Sequence, residues 1–361
     1  MESVGRRMRA EENFYRGKRV FITGHTGFKG SWLSFWLSRW GADVTGYALA
    51  PLAEPNLYAL AGIEKCVYSI IGDIRDLALL WKTFEACRPE IVIHLAAQPI
   101  VREGYRDPVT TYSTNVMGTV NLLECVRKSP TVRSFLNVTT DKVYQNNEWP
   151  WGYRETDRLN GQDPYANSKS CSELVTHSYE KSFFADKTVA ISTARAGNVI
   201  GGGDFSVDRI VPDCVRAAMA KETIQVRNPK SIRPYQHVLE PLYAYLTICQ
   251  AQYGNPSLAG AYNVGPDDVD CVRTGELAAM FCRAWGEGQT WETVEAGGPH
   301  EANLLKLDCA KIKAALGWRP RWDAQMAIEK TVEWTKTWQA GQDVVATMER
   351  QIEEFIDGGR D

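Results

Sequence analysis

Near the start of the chain an apolar run, Arg19-Val20-Phe21-Ile22-Thr23, passes directly into Gly24-His25-Thr26-Gly27-Phe28-Lys29-Gly30 and then into Ser31–Trp40, which Gly41 closes. A buried strand, a glycine turn and a helix in immediate succession commit the chain to a βα unit, whose helix must cross back over a parallel sheet. That helix has almost no polar face, so it is expected between layers of structure, with the Trp32, Trp36, Trp40 stripe as core packing. Its N-terminus offers unpaired N–H groups and the positive end of the helix dipole, a seat for a pyrophosphate that glycines let the backbone approach. The glycine spacing is Gly-x-x-Gly-x-x-Gly, and a turn that holds no ligand also fits this motif taken alone.

The same rhythm continues. Val44–Leu49 reads as a second strand, and short apolar runs follow at Val67–Ile71, Ile91–Leu95, Phe135–Val138 and Val189–Ala194. Helical stretches near 76–87, 108–128 and 165–184 separate them, with Pro108 suited to a first helical turn. Strand and helix in alternation predict an α/β fold with a doubly wound parallel sheet. After Gly201-Gly202-Gly203-Asp204 the alternation stops, which predicts a smaller C-terminal α/β lobe, with segments near 190–200 and 237–264 returning to the first; Ala261–Val264 is a late strand. The expected division is a flexible N-terminus over 1–15, a first domain over 16–200 joined again by about 237–264, a substrate lobe over 201–236 and 265–345, and a tail over 346–361.

Composition narrows the function. A net charge of -3 over 361 residues gives no field for nucleic acid or an anionic membrane. No apolar run is long enough to span a bilayer, and Arg6, Arg7 and Arg9 precede no apolar signal core. The nine cysteines, odd in number and without a Cys-x-x-Cys pair, argue against a disulfide framework or a zinc site. A cytoplasmic location with reduced thiols is expected, and no metal.

Tyr165-Ala166-Asn167-Ser168-Lys169 puts Tyr165 and Lys169 one helical turn apart on one face. A phenol ordinarily ionises near pH 10, and a neighbouring ammonium favours the phenolate, which can take a proton from a substrate hydroxyl. Thr139-Thr140-Asp141-Lys142-Val143-Tyr144 follows a strand directly, and the carboxyl ends of parallel strands are where such sheets hold ligands. There Thr140 can bond the oxygen on which Tyr165 acts, with Asp141 an acid and Lys142 a possible base; a strand-end turn with a surface ion pair is the plainer alternative. Gly72-Asp73-Ile74-Arg75 puts Asp73 where an adenine would meet it, although an ordinary turn with a salt bridge fits equally. Tyr47-Ala48-Leu49, at the end of the second strand, carries neither the acid that binds a ribose nor an Arg for a 2′-phosphate, so it leaves NAD against NADP open.

Taken together, Gly24–Gly30, Asp73, His94-Leu95-Ala96-Ala97-Gln98, Asn115, Thr140, Tyr165, Lys169 and Asn198 resemble, in their order, the extended short-chain dehydrogenase/reductase family over about residues 15–340. Within it the chain resembles the nucleotide-sugar 4,6-dehydratases that act on CDP-glucose. The likeness rests on Lys142 where Glu is usual, on Trp149-Pro150-Trp151-Gly152-Tyr153-Arg154-Glu155, on Ala194–Asp204 and on Ser231–Val238, with Tyr235 in place of an expected Trp.

The resemblance implies a Rossmann domain binding NAD through Gly24, His25, Thr26, Gly27, Phe28, Lys29, Gly30, Asp73, Ile74, Leu95, Ala96, Ala97, Gln98, Asn115, Thr139, Tyr165 and Lys169. It implies catalysis by Thr140, Asp141, Lys142, Tyr165 and Lys169, and substrate contacts from Asn198, Arg209, Arg233 and Gln236. The implied reaction is an internal redox cycle in deoxysugar biosynthesis for lipopolysaccharide O-antigen. Hydride leaves C-4 of the glucose for NAD, water is lost across C-5 and C-6, and the hydride returns to C-6, with Asp141 as acid and Lys142 as base. A homodimer or homotetramer built on the helices near 108–128 and 165–184 is implied as well. A 4-epimerase or another dehydratase of the family is the alternative, separated by whether water is lost.

Two further expectations concern charge. A contact ion pair between Asp141 and Lys142 would move both pKa values the wrong way for these roles, so the two are expected apart in a desolvated site; Lys142 as a charged enolate stabiliser is the competing role. His25 and Lys29 are bulky for a phosphate turn, which predicts a weakly held, exchangeable NAD. For His237 and His300 a structural role is expected.

Overall fold

The computed structural model describes residues 10–186, 188–295 and 303–358, so His300 lies outside the described residues. Seven strands make one parallel sheet: β1 (Arg19–Thr23), β2 (Asp43–Ala48), β3 (Tyr68–Ile71), β4 (Ile91–His94), β5 (Ser134–Val138), β6 (Ala190–Ala196) and β7 (Ala261–Val264). Their spatial order is β7-β6-β5-β4-β1-β2-β3. The chain therefore winds outward from β1 through β2 to β3, then restarts at β4 on the other side of β1. Val20 pairs with both Val44 and Ile91 at that reversal, and ligands of such sheets bind in the crevice above it.

The helices are α1 (Ala10–Tyr15), α2 (Phe28–Arg39), α3 (Leu77–Cys87), α4 (Gly118–Lys128), α5 (Pro164–Phe183), α6 (Ile210–Ala220), α7 (Leu239–Gly254), α8 (Thr274–Trp285), α9 (Ala324–Gln339) and α10 (Val344–Asp357), with shorter pieces between. Alternate residues of the central strands enter opposite layers, as a pleated sheet covered on both faces requires. Phe21, Val92, Phe135 and Ile191 pack under α3 and α4. Val20, Ile22, Ile93, Leu136 and Val138 pack with Trp32, Trp36 and the α7 residues Leu242 and Tyr245. A third core, with Val211, Leu277, Phe281, Trp285 and Ile328, joins α6, α8 and α9 in the smaller lobe. The chain returns to the first lobe after that lobe begins: β7 pairs with β6, Ala261 opposite Thr193.

Four local readings change. The glycine-turn helix begins at Phe28 rather than Ser31, because Gly27 is already its extended N-cap. The stretch from Pro108 to Lys128 is helical throughout but contains a π-turn at Ser113–Met117. The first fifteen residues are not uniformly a loose end: Ala10–Tyr15 is helical, and Tyr15 is fully buried with its hydroxyl donating to Leu246 O at 2.7 Å. The segment expected as a tail from 346 is mostly α10, whose Met348, Ile352 and Phe355 are buried. Phe355 edges against Trp36, Tyr243 and Trp322, partners far away in sequence.

Candidate active site

The glycine turn sits where β1 gives way to α2. Gly24 has φ +78°, a left-handed conformation that disfavours a side chain, and a Cβ there would lie 2.8 Å from Ala96 N. A Cβ on Gly30 would lie 2.0 Å from Gly24 O, so the turn closes only with glycine at both positions. No side chain caps α2, whose first N–H groups stay open to an anion. The Thr23 hydroxyl accepts from Leu95 N and Ala96 N at 3.1 Å each, tying the ends of β1 and β4 together at the mouth of the crevice. These features fit the pyrophosphate of a dinucleotide.

The two bulky residues of the turn part company. His25 turns under β2: it is buried, its Nε2 lies 2.7 Å from Ser69 Oγ, and a Cβ on Gly46 would strike its ring at 2.3 Å. Desolvation lowers its pKa to about 4, against the Tyr47 backbone, which as an acceptor favours the protonated ring, so it is a neutral packing residue. The side chain of His25 therefore turns away from the phosphate seat that its bulk was expected to obstruct. Lys29 instead faces the crevice, its ammonium 5.7 Å from the centre of the Tyr245 ring. Desolvation, then the cations Lys169 and Arg209, push its pKa down to about 7 against the pull of Asp141.

Several other expected cofactor residues act through one another. Asn115 Oδ1 accepts from Gln98 N, and its Nδ2 donates to Gln98 O and to Ser168 Oγ at 2.8 Å, pinning the loop after β4 to α5. The Gln98 side chain is committed to Thr111 Oγ1 and Ile100 N. Asp73 chelates Arg75 through both carboxylate oxygens, which is the salt-bridged turn; Arg75 first among the causes holds its carboxyl below the ordinary value. Ile74 is buried against Gly118, where a Cβ would come within 2.7 Å. Thr139 spends its hydroxyl on Glu173 Oε1 at 2.5 Å.

Beyond β5 the chain enters a short 3-10 turn, Asp141–Val143, with Thr140 as its N-cap. Thr140 Oγ1 donates to Asp141 Oδ1 at 2.9 Å, and Asp141 is only 1% exposed. Asp141 Oδ2 has no partner among the described residues. Desolvation raises the Asp141 pKa, opposed by Lys142, Thr140 and Arg233. The burial thus favours a neutral acid with an open oxygen. Asp141 and Lys142 make no ion pair within 4.0 Å among the described residues.

Helix α5 starts at Pro164 behind the N-cap Asp163, whose carboxylate accepts from Ala166 N, and so presents Tyr165 and Lys169 to the crevice from its first turns. Lys169 Nζ donates to Val138 O at 3.0 Å, the last residue of β5. Desolvation lowers its pKa to about 8 while Glu173 raises it. The Tyr165 phenol is pushed up to about 12 by desolvation, with Thr140 and Arg209 pulling it down and Asp141 and Asp163 pushing it up. Tyr165 is therefore a neutral phenol here, and the phenolate needs further positive charge.

On the smaller-lobe side, Arg209 lies beside the crevice with Nη1 3.6 Å from Asp204 Oδ2. Arg233 is buried, donates from Nη1 to Ile232 O, and acts on Asp141. Gln236 donates to Val264 O at 3.0 Å, while its Oε1 has no partner among the described residues. Asn198 lies in the link between β6 and the two-residue strand Val199–Ile200, and its carbonyl accepts from Gln236 N. His237 packs between Trp32 and Trp322, and burial lowers its pKa to about 3, as befits a structural residue. Sequence reasoning missed Tyr245, which α7 brings near Tyr165 from 80 residues away with no local signal. It also missed Glu173, although the four-residue spacing that couples Tyr165 to Lys169 couples Lys169 to Glu173 in turn.

Known proteins resemble this arrangement as follows. A family model described as GDP-mannose 4,6 dehydratase matches residues 21–331. CDP-glucose 4,6-dehydratase of Salmonella typhimurium is 45% identical over 352 residues, covering 96% of this chain and 98% of that protein. Among solved structures, dTDP-glucose 4,6-dehydratase from Streptomyces venezuelae, with NAD and TYD bound, superposes with a TM-score of 0.77 at 22% identity, over 90% of this chain and 99% of that one. UDP-glucose 4-epimerase of Thermus thermophilus, in complex with NAD, gives 0.77 at 25% identity, over 88% and 98%. With a glycine turn, a Tyr/Lys pair and a Thr-Asp strand end assembled in one crevice, and with matches of this extent, the chain belongs to the GDP-mannose 4,6 dehydratase family, within the extended short-chain dehydrogenases/reductases.

Proposed function

We propose that this chain dehydrates CDP-glucose to CDP-4-keto-6-deoxyglucose with NAD as its resident cofactor. The observation that carries the chemistry is the buried, unpartnered Asp141 oxygen beside Tyr165: burial favours the protonated carboxyl, and an acid next to a phenol is what departure of a hydroxyl group requires. The 45% identity along nearly the whole length of a CDP-glucose 4,6-dehydratase supports the nucleotide. NAD would be held by the turn from Gly24 to Gly30, by Asp73, by the loop from Leu95 to Gln98 and by Lys169. When bound it supplies a hydride acceptor at C-4 and a donor at C-6.

The chain's own residues move the protons. Tyr165, with Arg209 and the oxidised cofactor as positive neighbours, takes the proton of the 4-hydroxyl while Thr140 orients that oxygen. The 4-ketone acidifies C-5; Lys142 removes the C-5 proton, Asp141 protonates the departing 6-hydroxyl as water, and Lys142 returns a proton to C-5 as C-6 is reduced. Arg233 and Arg209 hold the diphosphate, with Asn198 and Gln236 turned to the same ligand. We place the reaction in the cytoplasm, within deoxysugar biosynthesis; no helix among the described residues is long and apolar enough to cross a membrane. Exposed Val109, Met117, Leu174 and Phe183 lie on the paired helices of 108–128 and α5, and a second copy of the chain is the proposed cover.

The test is incubation with NAD and a panel of nucleotide-glucoses. A 4-keto-6-deoxy product from CDP-glucose is expected. Preferential turnover of dTDP-glucose would overturn the nucleotide assignment, and epimerisation without water loss would overturn the reaction.

A further inference from the structure

Beneath the catalytic turn lies a buried charged network that none of the proton transfers uses. Glu173 is 3% exposed and sits one helical turn after Lys169 on the same face of α5. Its Oε1 accepts from Thr139 Oγ1 at 2.5 Å, and its Oε2 accepts from Thr193 Oγ1 at 2.8 Å and Arg195 Nη2 at 2.9 Å. One carboxylate thus ties α5 to the ends of both β5 and β6. Arg195 continues the network, donating from Nη1 to the Tyr144 hydroxyl at 2.8 Å and to Glu155 O at 2.9 Å; Tyr144 in turn donates to Asn263 on β7. Strands β5, β6 and β7 are thus fastened together through that one buried pair.

We propose that Glu173 is a positioning residue of the reaction, fixing the strand end that carries Thr140 and Asp141 and serving as the counter-charge that keeps Lys169 an ammonium; this rests on the dehydratase reading above. Lys169 is 3% exposed and makes no ion pair among the described residues. Its single hydrogen bond, to Val138 O, does not offset the loss of water around an ammonium. The charged and titratable groups around it are Lys29 from α2, His94 on β4, and Tyr165 and Glu173 on its own helix. His94 is neutral, since burial and then Lys169 hold its pKa at about 3. Lys29, whose own pKa of about 7 is lowered in part by Lys169, offers no counter-charge. Among these groups Glu173 alone pulls toward the ammonium. Without Glu173, Lys169 would lose its proton in the range where Tyr165 needs a cation nearby.

The test uses the full chain and two readouts. Lysines labelled with 13C at Cε are titrated by NMR without substrate, Lys169 being assigned by its absence in Lys169→Met; a wild-type midpoint of about 8 is expected. In Glu173→Gln the midpoint should fall by about one unit, and in Glu173→Gln/Arg195→Gln, which leaves no lone buried guanidinium but also removes a repelling cation, by less in the same direction. The alkaline limb of kcat against pH should move down with it, while KM for CDP-glucose stays within about twofold. Glu173→Asp keeps the charge but withdraws it by a methylene, so its midpoint falls less and in the same direction. An unchanged Lys169 midpoint in the double variant overturns the proposal, as does a slower reaction with an unmoved pH profile. If the amide variants do not fold, the Asp variant decides, and no fall there overturns it. If the midpoint moves but the wild type removes no water from CDP-glucose, the dehydratase reading fails and the counter-charge stands.

Discussion

Asp141 and Lys142 are adjacent in sequence and stay unpaired, because the 3-10 turn sends Asp141 into the protein and leaves Lys142 half-buried at the rim. Removing the C-5 proton is the step assigned to Lys142, so Lys142→Met should slow C-5 exchange into deuterated water by about 10²–10⁴-fold, the usual worth of a positioned base. Unimpaired exchange would leave Lys142 only an electrostatic part. Two other lysines govern stability. Lys29 and Lys169 have folded pKa values of about 7 and about 8, below the ordinary 10.5. Between those values the unfolded chain binds the extra proton, so stability rises with pH. Buried thiols such as Cys125, raised above their ordinary 9.0, act in the opposite sense from there upward. The urea midpoint of the cofactor-free protein should therefore climb from pH 7 to 8.5, and less steeply in Lys29→Met. Spacing, order and family resemblance singled out Tyr165, Lys169, Thr140 and Asp141 as candidates, and the fold brings them together beyond the end of β5. The direction of His25 was not legible, because it depends on Gly46, a neighbour in space that leaves room for the ring.

At the scale of elements, the alternation of strand and helix was legible because each apolar run carries its own boundary signals. What escaped were elements whose reason lies elsewhere in the chain. Helix α10 is polar on one side, and its apolar side makes sense only against α2 and α7, which supply Trp36 and Tyr243. Arg321 adds its guanidinium 5.4 Å from the centre of the Phe355 ring. Phe355→Ala should cost about 3–5 kcal/mol, as for other fully buried aromatics, read as a lower urea midpoint at unchanged slope. A loss near zero would mean that α10 is dispensable to this core. The π-turn at Ser113–Met117 likewise has no sequence signature; it brings Asn115 under Gln98 and Ser168.

At the scale of the molecule, the exposed apolar residues of the 108–128 helix and α5 predict association. Sedimentation should show a dimer or a tetramer, and Met117→Glu/Leu174→Glu should dissociate it, since two buried carboxylates facing a copy of themselves repel. A wild-type chain that sediments as a monomer would refute this. The sheet order holds one more lesson. β7 is the last strand of the seven-stranded sheet to be made and completes its edge against β6, and α7, made just before it, roofs the layer containing Trp32 and Trp36. A nascent chain that has emerged only as far as residue 236 therefore carries a bare strand edge and an uncovered tryptophan layer, the two surfaces on which unfinished proteins stick together. A fragment ending near residue 200 would therefore lack part of its own core, and on the ribosome the first lobe is completed only once residues 237–264 have been made.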